Sequence, residues 1–196
     1  MREEWIAYRL AVLCANGQGI VHGGSTVRDH GVRAALLLDL AMRDRLSSGG
    51  DRTYLDTRPS GFPPADAVLR YVDTHPAHSV GRLLSSAPIT VLDVLGAEVE
   101  RGRFRGRRSA RVDRGASERE RRLVGTVAET GRTDSPATAA LTVIAGALDL
   151  TTTDQRAALL AWCGSTRSLV AECADYLDRL MMKMTAVAQV RGSASE

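Results

Sequence analysis

Across residues 31–46, GVRAALLLDLAMRDRL, apolar side chains fill nearly every position. At about 100° per residue, Ala34, Leu36, Leu37, Leu38, Leu40 and Met42 spread around most of the circumference, and only a narrow stripe is left for Asp39 and Arg43. This pattern predicts one continuous helix from Gly31 to Leu46, surrounded by other elements. Ahead of it, EEWIAYRLAVLCA reads as a first helix, and NGQGIVHGGS reads as a flexible, glycine-broken loop. Downstream, the turn-rich SSGGDRTYLDTRPSGFPP holds a short β-like run over 53–57, so a strand or hairpin is predicted before a helix that starts at Pro63 or Pro64. ADAVLRYVDTH and SVGRLLSS read as short helices. PITVLDVLGAEVERG reads as a helix from Pro88 to a glycine stop at Gly102, and RFRGRRSARV alternates like a two-stranded ribbon. The C-terminal half is helical in pattern, with Ser117 and Glu120 spaced as a capping box. The expected fold is mainly α: a single helical domain over residues 1–190 with a central buried helix and one or two short β-hairpins. The tail RGSASE, residues 191–196, is expected to be disordered.

A chain of 196 residues, 44% of them hydrophobic, fits one compact domain. No run reaches the roughly 18 apolar residues of a membrane span, and the N-terminus lacks the pattern of a signal peptide, so a cytoplasmic location is expected. Cys14, Cys163 and Cys173 are odd in number and sit in helical pattern, which suits free, buried thiols. The net charge is only +3, but it is unevenly spread. In the block 100–115, ERGRFRGRRSARVDRG, seven arginines from Arg101 to Arg114 crowd together, the density expected of a surface facing a phosphate-rich partner. A solvated ribbon balanced by Asp113, Glu118 and Glu120 is the plainer alternative.

The charges of the apolar helix itself raise a question. Asp39 and Arg43 stand i,i+4 in the favourable order and are expected to pair locally, while Arg43 and Arg45 suit the negative C-terminal end. Arg33 falls in the first turn of the expected helix, where a cation opposes the dipole unless an anion joins it. Either an external phosphate or carboxylate, or the chain's own Asp29, would resolve that conflict.

GVRAALLLDLAMRDRL resembles the signature helix of the Golgi phosphoprotein 3-like family, with its Gly-hydrophobic-Arg start and Arg-x-Arg-hydrophobic close. YLDTRPSGFPPADAVLRYV, VLDVLGAEVERGRF and SPATAALTVIAGALDL are similar, in the same order, to that family's strand and proline turn, its Val-Glu-basic-Gly helix stop and its late central helix. The resemblance implies a helical, non-enzymatic protein that binds phosphatidylinositol 4-phosphate in a basic pocket and rests peripherally on membranes. A membrane protein or enzyme is implied as a partner, and self-association through the hairpin is implied as well. Arg33 matches a pocket arginine of the family. The pocket tryptophan would fall near Gly24, and further arginines near Pro88 and Val91, and the chain lacks all of them. The candidate headgroup-binding residues are therefore Arg33 with Arg105, Arg107 and Arg108 of the basic block, and discrimination among phosphates is expected to be poor.

Other chemistries are less well supported by the residues. GQGIVHGG lacks the Gly-Lys-Ser/Thr ending of a phosphate loop, His75 and His78 flank Pro76 without further placed ligands, and no cysteine has a nucleophile signature. Neither catalysis nor a cofactor is expected. The other class that fits the basic block is nucleic-acid binding, with 89–102 as a winged-helix recognition helix and the ribbon Arg101–Arg114 as its wing. That helix offers Asp93, Glu98 and Glu100 where base-reading residues would be needed.

Overall fold

The computed structural model of the chain describes residues 4–49, 52–75, 79–99 and 109–193. In chain order these form α1 (Ile6–Leu13), β1 (Ile20–His22), α2 (Thr26–Met42), β2 (Leu46–Gly49), β3 (Arg52–Leu55), α3 (Pro63–Thr74), α4 (Val80–Ser86), α5 (Val91–Val99), β4 (Ser109–Arg111), α6 (Arg114–Thr130), α7 (Pro136–Ala147), α8 (Arg156–Trp162), a 3-10 turn (Gly164–Thr166) and α9 (Arg167–Ser193). The fold is mainly α, as the apolar periodicity requires. Helix α2 runs through the middle and packs on α1, α3, α4, α5, α7 and α9. Val32, Ala34 to Leu38 and Leu40 are all 0–1% exposed. A Cβ at Gly31 would stand 2.5 Å from Leu148 Cδ1, so the missing side chain lets α2 close onto the end of α7.

The central helix differs from the expected one at both ends. It begins at Thr26, five residues before Gly31, because the polar residues Asp29 and His30 are buried and satisfied by other parts of the fold. It stops at Met42, since Asp44 takes a left-handed backbone with φ of 53°, and Leu46 belongs to β2. β2 pairs with β3 in an antiparallel hairpin, Leu46 opposite Leu55. Arg45 fastens the hairpin's exit by donating to the Asp56 carbonyl, with its Nε 3.2 Å from the Asp56 carboxylate.

The glycine-broken loop after α1 is not wholly irregular. It carries β1, which pairs antiparallel with β4, Val21 opposite Ala110. Gly19 makes this possible: its φ is +73°, and a Cβ there would stand 2.7 Å from the Val112 carbonyl oxygen. The basic segment therefore contributes a strand, Ser109–Arg111, whose partner comes from the start of the chain. Residues 100–108, with the other expected ribbon strand, lie outside the described residues.

Helix starts follow the caps. α3 opens at Pro63 and α7 at Pro136, where the Ser135 side chain accepts the Thr138 N–H. The expected capping box on α6 is not formed, because that helix starts one turn earlier. Asp113 is its N-cap and accepts from Ala116, Ser117 donates to the Val12 carbonyl, and Glu120 pairs with Arg9 at 2.7 Å. Arg9 also donates to Thr138 Oγ1, so one guanidinium ties α1, α6 and α7 together. α9 extends through Ser193, which makes the first three residues of the expected disordered tail helical.

Cys14, Cys163 and Cys173 are free and buried, and burial pushes the thiols of Cys14 and Cys163 up to about 11 and raises that of Cys173 as well. No single described helix is long and apolar enough to cross a membrane.

Candidate functional site

Asp29, Arg33 and Asp39 of α2 each reach out to the end of another element. Asp39, 3% exposed, accepts the Ile6 N–H on Oδ1 and the Ala7 N–H on Oδ2, both at 2.9 Å, and so caps α1. Asp39 thus serves as a long-range cap, while Arg43, its expected local partner, still acts on it through its charge. Arg43 lies over the Trp5 ring at 4.3 Å, and Trp5 stacks on Phe62. Desolvation raises the Asp39 carboxyl to about 7, against the lowering effect of the two N–H donors and of Arg43 and Arg9.

At the other end of α2, Asp29 and Arg33 face the bend of 77° between α4 and α5. Arg33 Nε donates to the Ile89 carbonyl at 2.8 Å, and Nη1 donates to the carbonyls of Leu84 at 2.8 Å and Ser85 at 3.3 Å. Asp29 Oδ1 accepts the Val91 N–H at 2.8 Å, the first residue of α5. Just before it, Thr90 and Asp93 form a reciprocal box: Asp93 Oδ2 accepts the Thr90 N–H at 2.7 Å, and Thr90 Oγ1 accepts the Asp93 N–H at 3.3 Å. The carbonyl end of α4 thus meets a guanidinium, and the N–H end of α5 meets two carboxylates, which is the arrangement helix dipoles favour.

This geometry corrects the reason given for Arg33. The residue sits two turns inside α2, and its charge lies against the negative end of α4. Asp29 does share the corner with it, but its carboxylate accepts the Val91 N–H. Burial of Arg33 lowers its pKa, an effect opposed by Asp29, Tyr176, Asp93 and Tyr71, and the group stays cationic. Nη2 has no hydrogen-bond partner among the described residues and is not sealed from solvent. Beside it, the Tyr176 hydroxyl lies 3.0 Å from His30 Nδ1, the two rings stack, and burial followed by the Arg33 charge lowers the His30 pKa.

Position 33 is far in sequence from positions 88 and 91, yet all three belong to this corner. Pro88 is exposed in the bend, and Val91 is fully buried. Gly24 lies between β1 and α2 with φ of +84° and open space where a Cβ would be. Arg105, Arg107 and Arg108 lie outside the described residues. Of the same block, Arg111 and Arg114 are exposed, and Arg114 pairs with Glu118 one turn on. His75 stacks on Tyr71, and His78 lies outside the described residues. Among the described residues no group of three His, Cys, Asp or Glu side chains could hold a metal ion.

Sequence reasoning missed the capping roles of Asp29 and Asp93 and the His30–Tyr176 contact. Thr90-x-x-Asp93 carries a local signal, the spacing of a capping box. Asp29 and His30 have none, because their partners are 62 and 146 residues away.

The class of protein is thus a mainly helical domain built around a helix that caps its neighbours, with an arginine in the α4–α5 corner. The family model described as Golgi phosphoprotein 3 (GPP34) matches residues 6–175. The chain belongs to the Golgi phosphoprotein 3 family. A search of curated proteins finds no match to it.

Proposed function

We infer that the protein is a non-enzymatic, peripheral membrane component that binds anionic phospholipid headgroups through Arg33 and the basic segment 101–114. Family membership over residues 6–175 carries this reading. It is supported by the open Nη2 of Arg33, which can donate one charge-assisted bond to a phosphate while the other nitrogens hold the α4–α5 corner. The N–H groups of Thr90 and Val91 at the start of α5 already have carboxylate partners in Asp93 and Asp29. The corner therefore favours weak, poorly discriminating phosphate contact over a tight phosphatidylinositol 4-phosphate site. Most of the affinity comes from the basic segment, as a screened attraction worth about 1 kcal/mol per arginine near the surface. A membrane protein partner and a cytoplasmic location belong to the same proposal.

The test is vesicle flotation with neutral lipid, with phosphatidylglycerol or cardiolipin, and with phosphatidylinositol 4-phosphate, run beside a duplex DNA shift at matched salt. Binding to all anionic vesicles, weakened and made less salt-dependent by Arg105→Ser, Arg107→Ser and Arg108→Ser together, is the expected result. Salt-dependent DNA binding without vesicle binding would overturn it in favour of a nucleic-acid role for the same arginines.

A further inference from the structure

Helix α9 outruns the fold. Val170, Cys173, Ala174 and Leu177 are fully buried, whereas every residue from Met182 to Gln189 is exposed, and the family match ends at residue 175. At about 100° per residue, Leu180, Met181, Met184, Val187 and Ala188 fall within an arc about 120° wide, in line with Leu177. The stripe that packs into the core thus continues into solvent, with Met184 47% and Val187 50% exposed. Polar positions such as Arg179, Lys183 and Gln189 lie outside the arc.

The charges around the stripe favour one occupant. Between Asp178 and Glu196 the chain has Arg179, Lys183 and Arg191 and no acidic residue, although as a whole it nearly balances 26 cations with 23 anions. Lys183 falls about 40° beyond the edge of the apolar arc, where its stem can follow a headgroup boundary while the ammonium reaches lipid phosphates. A second copy fits less well. The stripe lasts about two heptads, where a coiled coil needs three to four, and the sequence puts Arg191 at the next seam position. Methionines also suit a fluid acyl boundary, because they adapt their shape to it.

We propose that the end of α9 from Leu180 to Ala188, exposed from Met182 onward, is an amphipathic helix that lies in the surface of an anionic membrane. This rests on the lipid-surface reading of the domain and adds an apolar contact separate from the Arg33 corner and the basic segment.

The test places an environment-sensitive fluorophore on Met184→Cys in the full chain; the native thiols are 3% exposed or less, which directs labelling to position 184. With vesicles of phosphatidylcholine plus phosphatidylglycerol the emission shifts to the blue and is quenched by lipids brominated on their acyl chains, and with phosphatidylcholine alone it does neither. Met184→Asp with Val187→Asp weakens flotation about tenfold or more and leaves the unfolding curve unchanged, since both side chains are exposed beyond the packed part of the helix. A label that stays in water while the chain floats overturns the proposal and leaves the headgroup reading intact. A dimer that the two aspartates dissociate without changing flotation also overturns it. Flotation and blue shift that persist after loss of Arg33 and the ribbon arginines refute the headgroup reading and support this one.

Discussion

Replacing Arg33 with Ala removes the bridge between α2 and the α4–α5 bend, and the structure gives a scale for the loss. Two bonds of 2.8 Å run from the cation to the carbonyls of Leu84 and Ile89, residues 0% and 4% exposed, while the third, to Ser85, is longer and solvent-facing. A bond to a charged group contributes about 1.5–3 kcal/mol, and a buried carbonyl left without a partner costs about 1–3 kcal/mol. The half-exposed guanidinium and water entering beside exposed Pro88 reduce the sum, so the expected loss is about 2–4 kcal/mol. For a domain of this size that lowers Tm by about 5–15 °C. Arg33→Lys keeps the charge but can reach fewer carbonyls, and falls between the two. Urea unfolding followed by far-UV circular dichroism measures both variants, with an unchanged m-value confirming that the native state is comparable. A loss under about 1 kcal/mol for Arg33→Ala, typical of a surface change, would refute the structural role and leave Arg33 as a binding residue alone.

Asp39 makes stability depend on pH in an unusual direction. Its folded pKa of about 7 lies above the ordinary 3.8, so the folded state holds an extra proton between those values, and this contribution is present at low pH and lost as pH rises from about 4 to 7. Asp39→Asn should flatten that slope in urea titrations at pH 5 and pH 7.5, and an unchanged slope would remove Asp39 as its source. Gly31→Ala should cost about 1–3 kcal/mol, because the new methyl meets Leu148 Cδ1 at 2.5 Å, and a Leu148→Ala partner change should recover part of it in a double-mutant cycle. Asp29→Ala should cost about 1–2 kcal/mol through the lost α5 cap, read in the same urea assay, with a neutral result counting against the corner as drawn.

The capping pattern gives the signature helix a physical meaning. Asp29 holds the start of α5, Arg33 the end of α4, Asp39 the start of α1 and Arg45 the exit of the β2–β3 hairpin. Three residues of one helix therefore satisfy polar ends in three neighbouring elements, and Arg45, just past its end, fastens a fourth. The headgroup reading needs only what this network leaves over at Arg33, which is why the basic segment carries most of the expected affinity.

Local sequence determined where apolar faces lie and where several helices begin. The near-continuous apolar run of α2 forces a central position, Pro63 opens its helix where read, and the buried cysteines follow from helical pattern. These signals act over one or two turns, so a single chain segment contains them. Tertiary structure decided the rest. The strand pairing of Ile20–His22 with Ser109–Arg111, the early start of α2, and the partners of Asp29, Arg33 and Asp39 all join residues more than 30 positions apart. A cation placed by local rules against its own helix dipole turned out to face the opposite end of another helix. Dipole and hydrogen-bond energies depend on which ends meet in space, and that is settled only when the apolar faces have packed.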